Sequence, residues 1–504
     1  MVGHAGTASE AVLPVTAAAL ELRWRLVPGA SMVPSGKHGL ALEGRDGGIV
    51  ALTPGHAGLR DALLALAKGA DEASLAGLAT EECAAQLYYY VARLVERGLL
   101  EATAERDEMP VVRLLPRSRT FELPVPQPGP RTVALDRFAF LRRGERGAML
   151  QHPDATCDLL VEHADAGNLV LRLAAGSLDT TADASLDLPL VSLLIALGFA
   201  KDAAAAEEPS RRTWDFHDRL FQRAARSYDD LEPRGGTYRF VGALPSPPAI
   251  RPRHAGTSID LPAPHAAHAS GNLSEVMEKR RSQRDMSDRP VGLESVGELL
   301  HRVARVTTLI SGTPDVPQDA MLRPYPSGGA IHELEFYLAV GACEGLAPGF
   351  YHYRGHEHGL TRIDGAETPA ADMLEECARA WGQPGRPPQV LVVMASRLPR
   401  LAWKYAGIAY KISLMNAGVA IQSLYLVATD LGLAGSAVGS GNPELFARAT
   451  GVSSWEETSI AEFGFGRPQR DPGGDEDPRG LPGRRTGRTS GDRSEERRVG
   501  KECA

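Results

Sequence analysis

An α+β chain of about three domains is what the sequence predicts, and three observations predict it. First, 504 residues are more than one hydrophobic core holds. Second, helical periodicity over 57–68, 80–97, 164–174, 188–199, 274–281, 293–305, 369–380 and 408–431 is interleaved with strand-like runs such as GLALE, GIVALT, EFYLAVGAC, GFYHY, QVLVVMAS and SIAEFGFG. Third, LPSPPAIRPRHAGTSIDLPAP is proline-rich and extended, and so separates the segments before it from a large C-terminal domain.

Taken in order, residues 1–18 are small and weakly patterned, and are expected to be disordered. Over 19–105, LELRWRLVPG alternates into a Pro-Gly turn. Two short strands and the helices at 57–68 and 80–97 follow, the second with Leu87, Val91 and Leu94 at helical spacing. LVERGLLEA then closes the segment after a glycine stop. A unit of this size and content resembles a winged-helix module.

Over 110–203 the outline repeats. TVALDRFAFLRRGERGAMLQHP gives two strand-like runs around a turn, and helices follow at 164–174 and 188–199. The similar endings ERGLLEA and ALGFAKD read as a degenerate tandem repeat, two small winged-helix-like modules. Residues 208–268 connect them to the rest through an amphipathic helix carrying Trp214, Phe216, Leu220 and Phe221, then GGTYRF and the proline-rich segment. The largest domain spans 270–468. Residues 469–504 read as a disordered tail. Within it Arg493 to Cys503, back-translated, resembles a sequencing-library adapter, so the natural chain is expected to end earlier; a charged tail is the alternative.

Composition narrows the function classes. A net charge of −8 argues against nucleic acid or an anionic membrane as partner. The cysteines Cys83, Cys157, Cys343, Cys377 and Cys503 are scattered, which argues against a disulfide framework or a zinc site and favours a reducing, cytoplasmic setting. No secretory signal is visible at the N-terminus, and the longest near-continuous apolar stretch, Leu188 to Ala200, is too short to span a bilayer.

Four clusters in the large domain carry chemistry. Arg280-Arg281-Ser282-Gln283-Arg284 places three guanidiniums and a hydroxyl at a helix end, a donor set that suits a phosphate; a solvated basic face is the alternative. Arg323-Pro-Tyr-Pro326-Ser327-Gly328-Gly329-Ala330 combines fixed backbone with glycines that allow close approach, and Ser327 can donate to a ring heteroatom; an ordinary turn would read the same. Trp403-Lys404-Tyr405 precedes a long helix, apolar nearly all round, that should be buried in a domain or a dimer; Gln422 is its polar exception. After that helix, LGLAGSAVGSG, with Gly439, is a glycine-rich exit. Phe463-Gly464-Phe-Gly-Arg467 is a strand end with one more arginine.

Together and in this order, these clusters resemble the nitroreductase superfamily, over roughly 200 residues. The resemblance implies an FMN domain. Arg280, Arg281, Ser282 and Arg284 would hold the cofactor phosphate, and Pro326, Ser327, Gly328 and Gly329 would line the isoalloxazine ring. Gln422, Gly439, Gly464 and Arg467 would complete the site, and the long helix would form a homodimer core. RPYPSGGAIHELEFYL, GFYHY and the Lys-Tyr pair are similar to the SagB-type, or thiazole/oxazole-forming, peptide azoline dehydrogenases, and the N-terminal modules resemble those of cyanobactin oxidases. In that group the Lys-Tyr pair is catalytic, which maps onto Lys404 and Tyr405. Many relatives follow KY with an arginine in a KYxxR pattern; here that position is Ile408.

The expected reaction removes a hydride and a proton from a thiazoline or oxazoline in a ribosomally made peptide, with dioxygen as final acceptor. Tyr405 is the expected base and Lys404 the cation that stabilises its phenolate. Adjacent residues on a regular helix diverge, so the pair should sit at a turn or helix start where both tips converge. His332 and Glu335 are further candidates for reaching the ligand. His352, His356 and His358 look metal-like but read as a solvated loop, and no metal is expected. Expected partners are a leader-bearing peptide, bound by β-addition to the N-terminal modules, and a cyclodehydratase. The rival readings are an NAD(P)H-dependent nitro- or quinone-reductase and a catalytically degenerate scaffold of a cyclodehydratase complex.

Overall fold

The computed structural model describes residues 19–35, 39–44, 47–79, 81–226, 230–264 and 272–469. The expectations for 1–18 and for the tail from 470 onward lie outside them. The chain divides into two units, Met1–Pro233 and Arg234–Ala504.

In the first unit, β1 (Glu21–Leu26), β2 (Leu100–Arg106), β3 (Met109–Pro116), β4 (Phe140–Gly144), β5 (Gly147–Gln151) and β6 (Cys157–Val161) form one antiparallel sheet in the order β1-β2-β3-β6-β5-β4. The helices α1 (Ala57–Lys68), α2 (Ala84–Glu96), α3 (Ala164–Ala175) and α4 (Leu188–Ala196) match the sequence periodicity. Leu59, Leu63, Leu87, Leu94, Leu169, Val170, Leu190 and Leu193 from these helices join Trp24, Leu114 and Leu159 in a single apolar cluster. The strand-then-helix order does repeat. The two segments are nevertheless one body, because β2 pairs with β3 from Ala102↔Leu114 to Arg106↔Met109 and one core runs beneath both. The connecting helix α5 (Phe216–Arg226) belongs to this unit too, so the boundary falls after Pro233 and not in the low 200s.

The second unit is built on a seven-stranded sheet. Its main elements are β7 (Ser258–Asp260), α6 (Leu273–Lys279), α7 (Leu293–Ala304), β8 (Leu334–Val340), β9 (Gly349–Arg354), β10 (Gly359–Ile363), α8 (Glu367–Ala380), β11 (Val390–Ser396), α9 (Leu398–Lys404), α10 (Ala409–Asp430), β12 (Ala434–Val438), α11 (Pro443–Thr450) and β13 (Thr458–Gly466), with strand order β7-β10-β9-β8-β11-β13-β12. Side chains alternate across the sheet as a period of two dictates. Phe336, Leu338, Val392, Met394, Phe463 and Phe465 pack on the face covered by α7 and α10. Tyr337, Ala339, Leu391, Val393 and Ala395 pack on the opposite face with Met373, Leu374 and Phe446 of α8 and α11. LGLAGSAVGSG was expected as a glycine-rich exit from the helix, but Ala434–Val438 of it is edge strand β12, paired with β13.

Helix α10 is not buried all round. Ser413, Asn416, Ala417, Ala420, Leu424 and Ala428 face the sheet at helical spacing, while Leu414, Met415 and Val419 are exposed. By length and composition it could cross a membrane, which the 188–200 run could not, and a third of its most apolar window is buried.

Candidate functional site

The Lys-Tyr pair sits where a helix gives way to extended chain. Lys404 is the last residue of α9, and Tyr405 caps it at φ −106°, ψ 123°. Leaving the helix lets the two neighbouring side chains converge, which a continued helix forbids. They converge on Gly329. A Cβ there would lie 2.7 Å from Lys404 Nζ and closer still to Tyr405 Oη, so both tips reach one point on the glycine-rich turn. Gly329 is also left-handed, at φ +62°. Its neighbours share that strain without being glycine: Ala330 has φ 58° and His332 φ 45°.

That turn is clamped from α10. Asn416 Oδ1 accepts from Gly328 N (3.2 Å), and Asn416 Nδ2 donates to Ser327 Oγ (2.9 Å) and to Glu333 Oε2 (2.9 Å). Gly328 fits because a Cβ there would stand 2.5 Å from Ile412 Cγ2. Ser327 Oγ also accepts from His332 N at 3.0 Å, so its two acceptor positions are used and its hydrogen is left to donate. Pro326, one residue earlier, is exposed. Burial pushes the Glu333 carboxyl up, against the hydrogen bonds from Ser413 and Asn416. His332 is buried against Tyr325, and burial, with Arg323 and Arg400 nearby, holds its imidazole neutral with a pKa of about 3.

The arginine segment gathers about Tyr425, further along α10. Arg280 caps α6 and lays its guanidinium over the Tyr425 ring at 5.3 Å. Ser282 Oγ lies 3.0 Å from Tyr425 Oη, which also accepts from Ala437 N at 2.9 Å. Burial raises the Tyr425 phenol, but these bonds and Arg280 outweigh it and the net direction is down. Gln283 N donates to Gly435 O, and Ser287 N donates to Arg467 O, so the segment runs along the ends of β12 and β13 toward Arg467. Arg281 bonds the carbonyls of Glu278 and Arg280. Among the described residues, Arg280, Arg281, Arg284 and Arg467 have no carboxylate partner, which fits a site for an anion. Tyr425 lies nine positions after Asn416 on α10, about 14 Å along the axis.

Several residues picked from the sequence lie elsewhere. Gly464 is buried on the α8 face of the sheet, where a Cβ would stand 2.8 Å from Trp381 Cζ2, so its lack of a side chain serves packing. Gly439 is exposed with open space around it, and Gln422 is exposed on α10 one turn before Tyr425. Glu335 is buried in β8, bonded to His352 and Arg397, and its carboxyl is held down to about 2 against burial by His352 and the arginines. The three histidines do not share a solvated loop. His352 is 3% exposed inside β9, and His358 bonds Tyr353 Oη and the Pro262 carbonyl. Asn416 and Tyr425 on α10, and Tyr238, are site residues that the sequence did not single out, and Ile412 was read only as part of the apolar helix.

Family models match the two units separately. Residues 277–467 match the model of the nitroreductase family, whose members generally bind flavin, and residues 133–229 match that of cyanobactin oxidase ThcOx. A Methanocaldococcus jannaschii protein described as a candidate nitroreductase is 28% identical over 171 residues, 33% of this chain and 78% of that protein. Among solved structures, a candidate nitroreductase from Anabaena variabilis aligns over 89% of this chain and 80% of its own at 14% identity and TM-score 0.36. The E. coli microcin synthetase McbBCD complex, solved with truncated pro-MccB17 bound, aligns over 49% of this chain and 85% of that one at 17% identity and TM-score 0.32.

Proposed function

We propose that this chain, whose residues 277–467 are a nitroreductase-family domain, is an FMN-dependent dehydrogenase that oxidises thiazoline or oxazoline rings to azoles in a ribosomally made peptide. The observation that carries the reading is the convergence of Lys404 Nζ and Tyr405 Oη on Gly329. The oxidase model matched by residues 133–229 supports it, since a simple flavin reductase has no need of such a unit.

The residues present fit the cofactor. Ser327 keeps a free hydroxyl hydrogen, which suits a heteroatom at the edge of a flat ring, and Gly329 leaves room beside it for the tips of Lys404 and Tyr405. Arg280, Arg281, Arg284 and Arg467, with Ser282, suit its phosphate. FMN, when bound, supplies the two-electron acceptor. The chain supplies the rest. Tyr405 Oη takes the ring proton and passes it to solvent, and the Lys404 ammonium offsets the negative charge that proton transfer places on the phenol oxygen. The exposed Leu414, Met415 and Val419 of α10 support a homodimer in which this helix finds its missing cover. A leader-bearing peptide and a cyclodehydratase are the proposed partners.

The test is to incubate the purified protein and FMN with an azoline-containing peptide in air and to weigh the product. Loss of two hydrogens per ring, abolished in Lys404→Ala and Tyr405→Phe proteins that still fold, is the expected result. An unchanged peptide mass, or equal conversion by both variants, overturns the reading.

A further inference from the structure

The segment Arg234–Phe240, outside the matched family domain, is laced onto the Lys-Tyr pair. Gly235 and Gly236 pair antiparallel with Ala406 and Tyr405. Two residues on, Tyr238 N donates to the Lys404 carbonyl at 3.1 Å. Trp403, just before the pair, donates its indole N–H to the Leu244 carbonyl at 2.9 Å, so the strap is fastened on both sides of Tyr238.

Tyr238 adopts φ +50°, a left-handed conformation that a bulky aromatic residue rarely takes. Glycine or asparagine would be the ordinary choice there. The strain buys a placement: the ring stands edge-on to Trp403 at 5.9 Å and lies 5.7 Å from Lys404 Nζ. The Tyr405 ring lies 5.3 Å from the same nitrogen. The ammonium is thus held between two aromatic faces, each attracting it through the ring quadrupole. Lysine is otherwise a flexible four-carbon stem with many rotamers.

We propose that Tyr238 is a positioning residue of this site, holding the Lys404 ammonium between its own ring and that of Tyr405 so that it stays beside the phenol oxygen. The proposal deepens the reading above and rests on it for the catalytic consequence, but not for the geometry.

Three variants test it. Tyr238→Phe keeps the aromatic face, Tyr238→Leu removes it, and Tyr238→Gly removes it while relieving the left-handed backbone, so a folding defect from strain is separated from loss of the ring. The first readout is free of turnover: the rate at which an amine-acylating reagent modifies Lys404, followed by peptide mass mapping. Lys404 should react several-fold faster in the Leu and Gly variants than in the wild type, with the Phe variant unchanged. The second readout is azoline oxidation, where kcat should fall about tenfold or more in Leu and Gly with KM little changed, and Phe should restore it. Equal Lys404 labelling in all four proteins overturns the proposal, whatever the activity. Faster Lys404 labelling in the Leu and Gly variants, with a wild type that oxidises no azoline, leaves Tyr238 as the holder of Lys404 and overturns the substrate reading instead.

Discussion

Tyr405 Oη occupies the space that a side chain on Gly329 would need, and Lys404 Nζ lies 2.7 Å from the same point. Gly329→Ala therefore meets both tips at once, at a φ of +62° that alanine adopts at a cost of about 1–2 kcal/mol. We expect a fold that survives and an activity that does not: a melting temperature lowered by a few degrees with kcat reduced more than tenfold. Thermal melts and steady-state kinetics on the same preparation check it.

Asn416 carries the same turn from the other side. Asn416→Ala removes its bonds to Gly328, Ser327 and Glu333 together and leaves buried polar atoms without partners, so a loss of about 1–3 kcal/mol is expected. Asn416→Asp should cost more at neutral pH, because it sets a second carboxyl beside the buried Glu333. Chemical denaturation of the three proteins at pH 7 measures both. An alanine variant as stable as the wild type would show that the clamp contributes nothing.

Tyr425 ties the arginine segment to α10 and β12. Tyr425→Phe keeps the ring under Arg280 but loses the hydrogen bonds to Ser282 and Ala437. FMN retention through gel filtration should fall several-fold, with turnover recovered at saturating FMN. Turnover that stays low at saturating FMN would mean that Tyr425 serves the chemistry and not the phosphate end.

A fourth expectation concerns pH. Burial, with Glu376 nearby, pushes the Glu462 carboxyl up from 4.5 to about 7. The folded chain then holds a proton that the unfolded chain has released, so this group's contribution is present below pH 4.5 and is lost as pH rises through about 7. Glu462→Gln removes the effect. Its stability advantage over the wild type should grow across that window to on the order of 3 kcal/mol. Unfolding curves at several pH values check it, and a difference that does not change with pH would contradict it.

What could be read from the sequence follows from what each residue signals locally. The helices of both units were legible because their buried Leu and Val recur at helical spacing, and the Lys-Tyr pair was legible as a break ahead of α10, although it lies at the end of α9 and not at a helix start. Gln422 was singled out as the polar exception on α10, yet the buried polar residues are Ser413 and Asn416, and it is Asn416 that holds the turn. It shares a face with Ser413, Ala417, Ala420 and Leu424, which a list of apolar residues conceals and a 3.6-residue period displays. Gly464 was taken for a ligand contact because it sits in a glycine-rich strand end. Phe463 and Phe465 on the α10 face force it to the other face, under Trp381. His352 was grouped with His356 and His358 because HYRGHEHGL is centred on a turn, although it belongs to the GFYHY run that pairs on both edges as an inner strand. Tyr238 had no local signal. Its importance lies in a pairing with residues more than 160 positions away, which only the fold brings about.

The most direct test of the central claim is the visible absorption spectrum of the purified, FMN-loaded protein, recorded without oxygen before and after an azoline-containing peptide is added. The account predicts oxidised-flavin bands that bleach on adding the peptide and return on admitting air. Bands that persist with the peptide and bleach only with NADPH would contradict it in favour of a reductase, and a colourless protein that cannot be reconstituted with FMN would contradict it in favour of a scaffold.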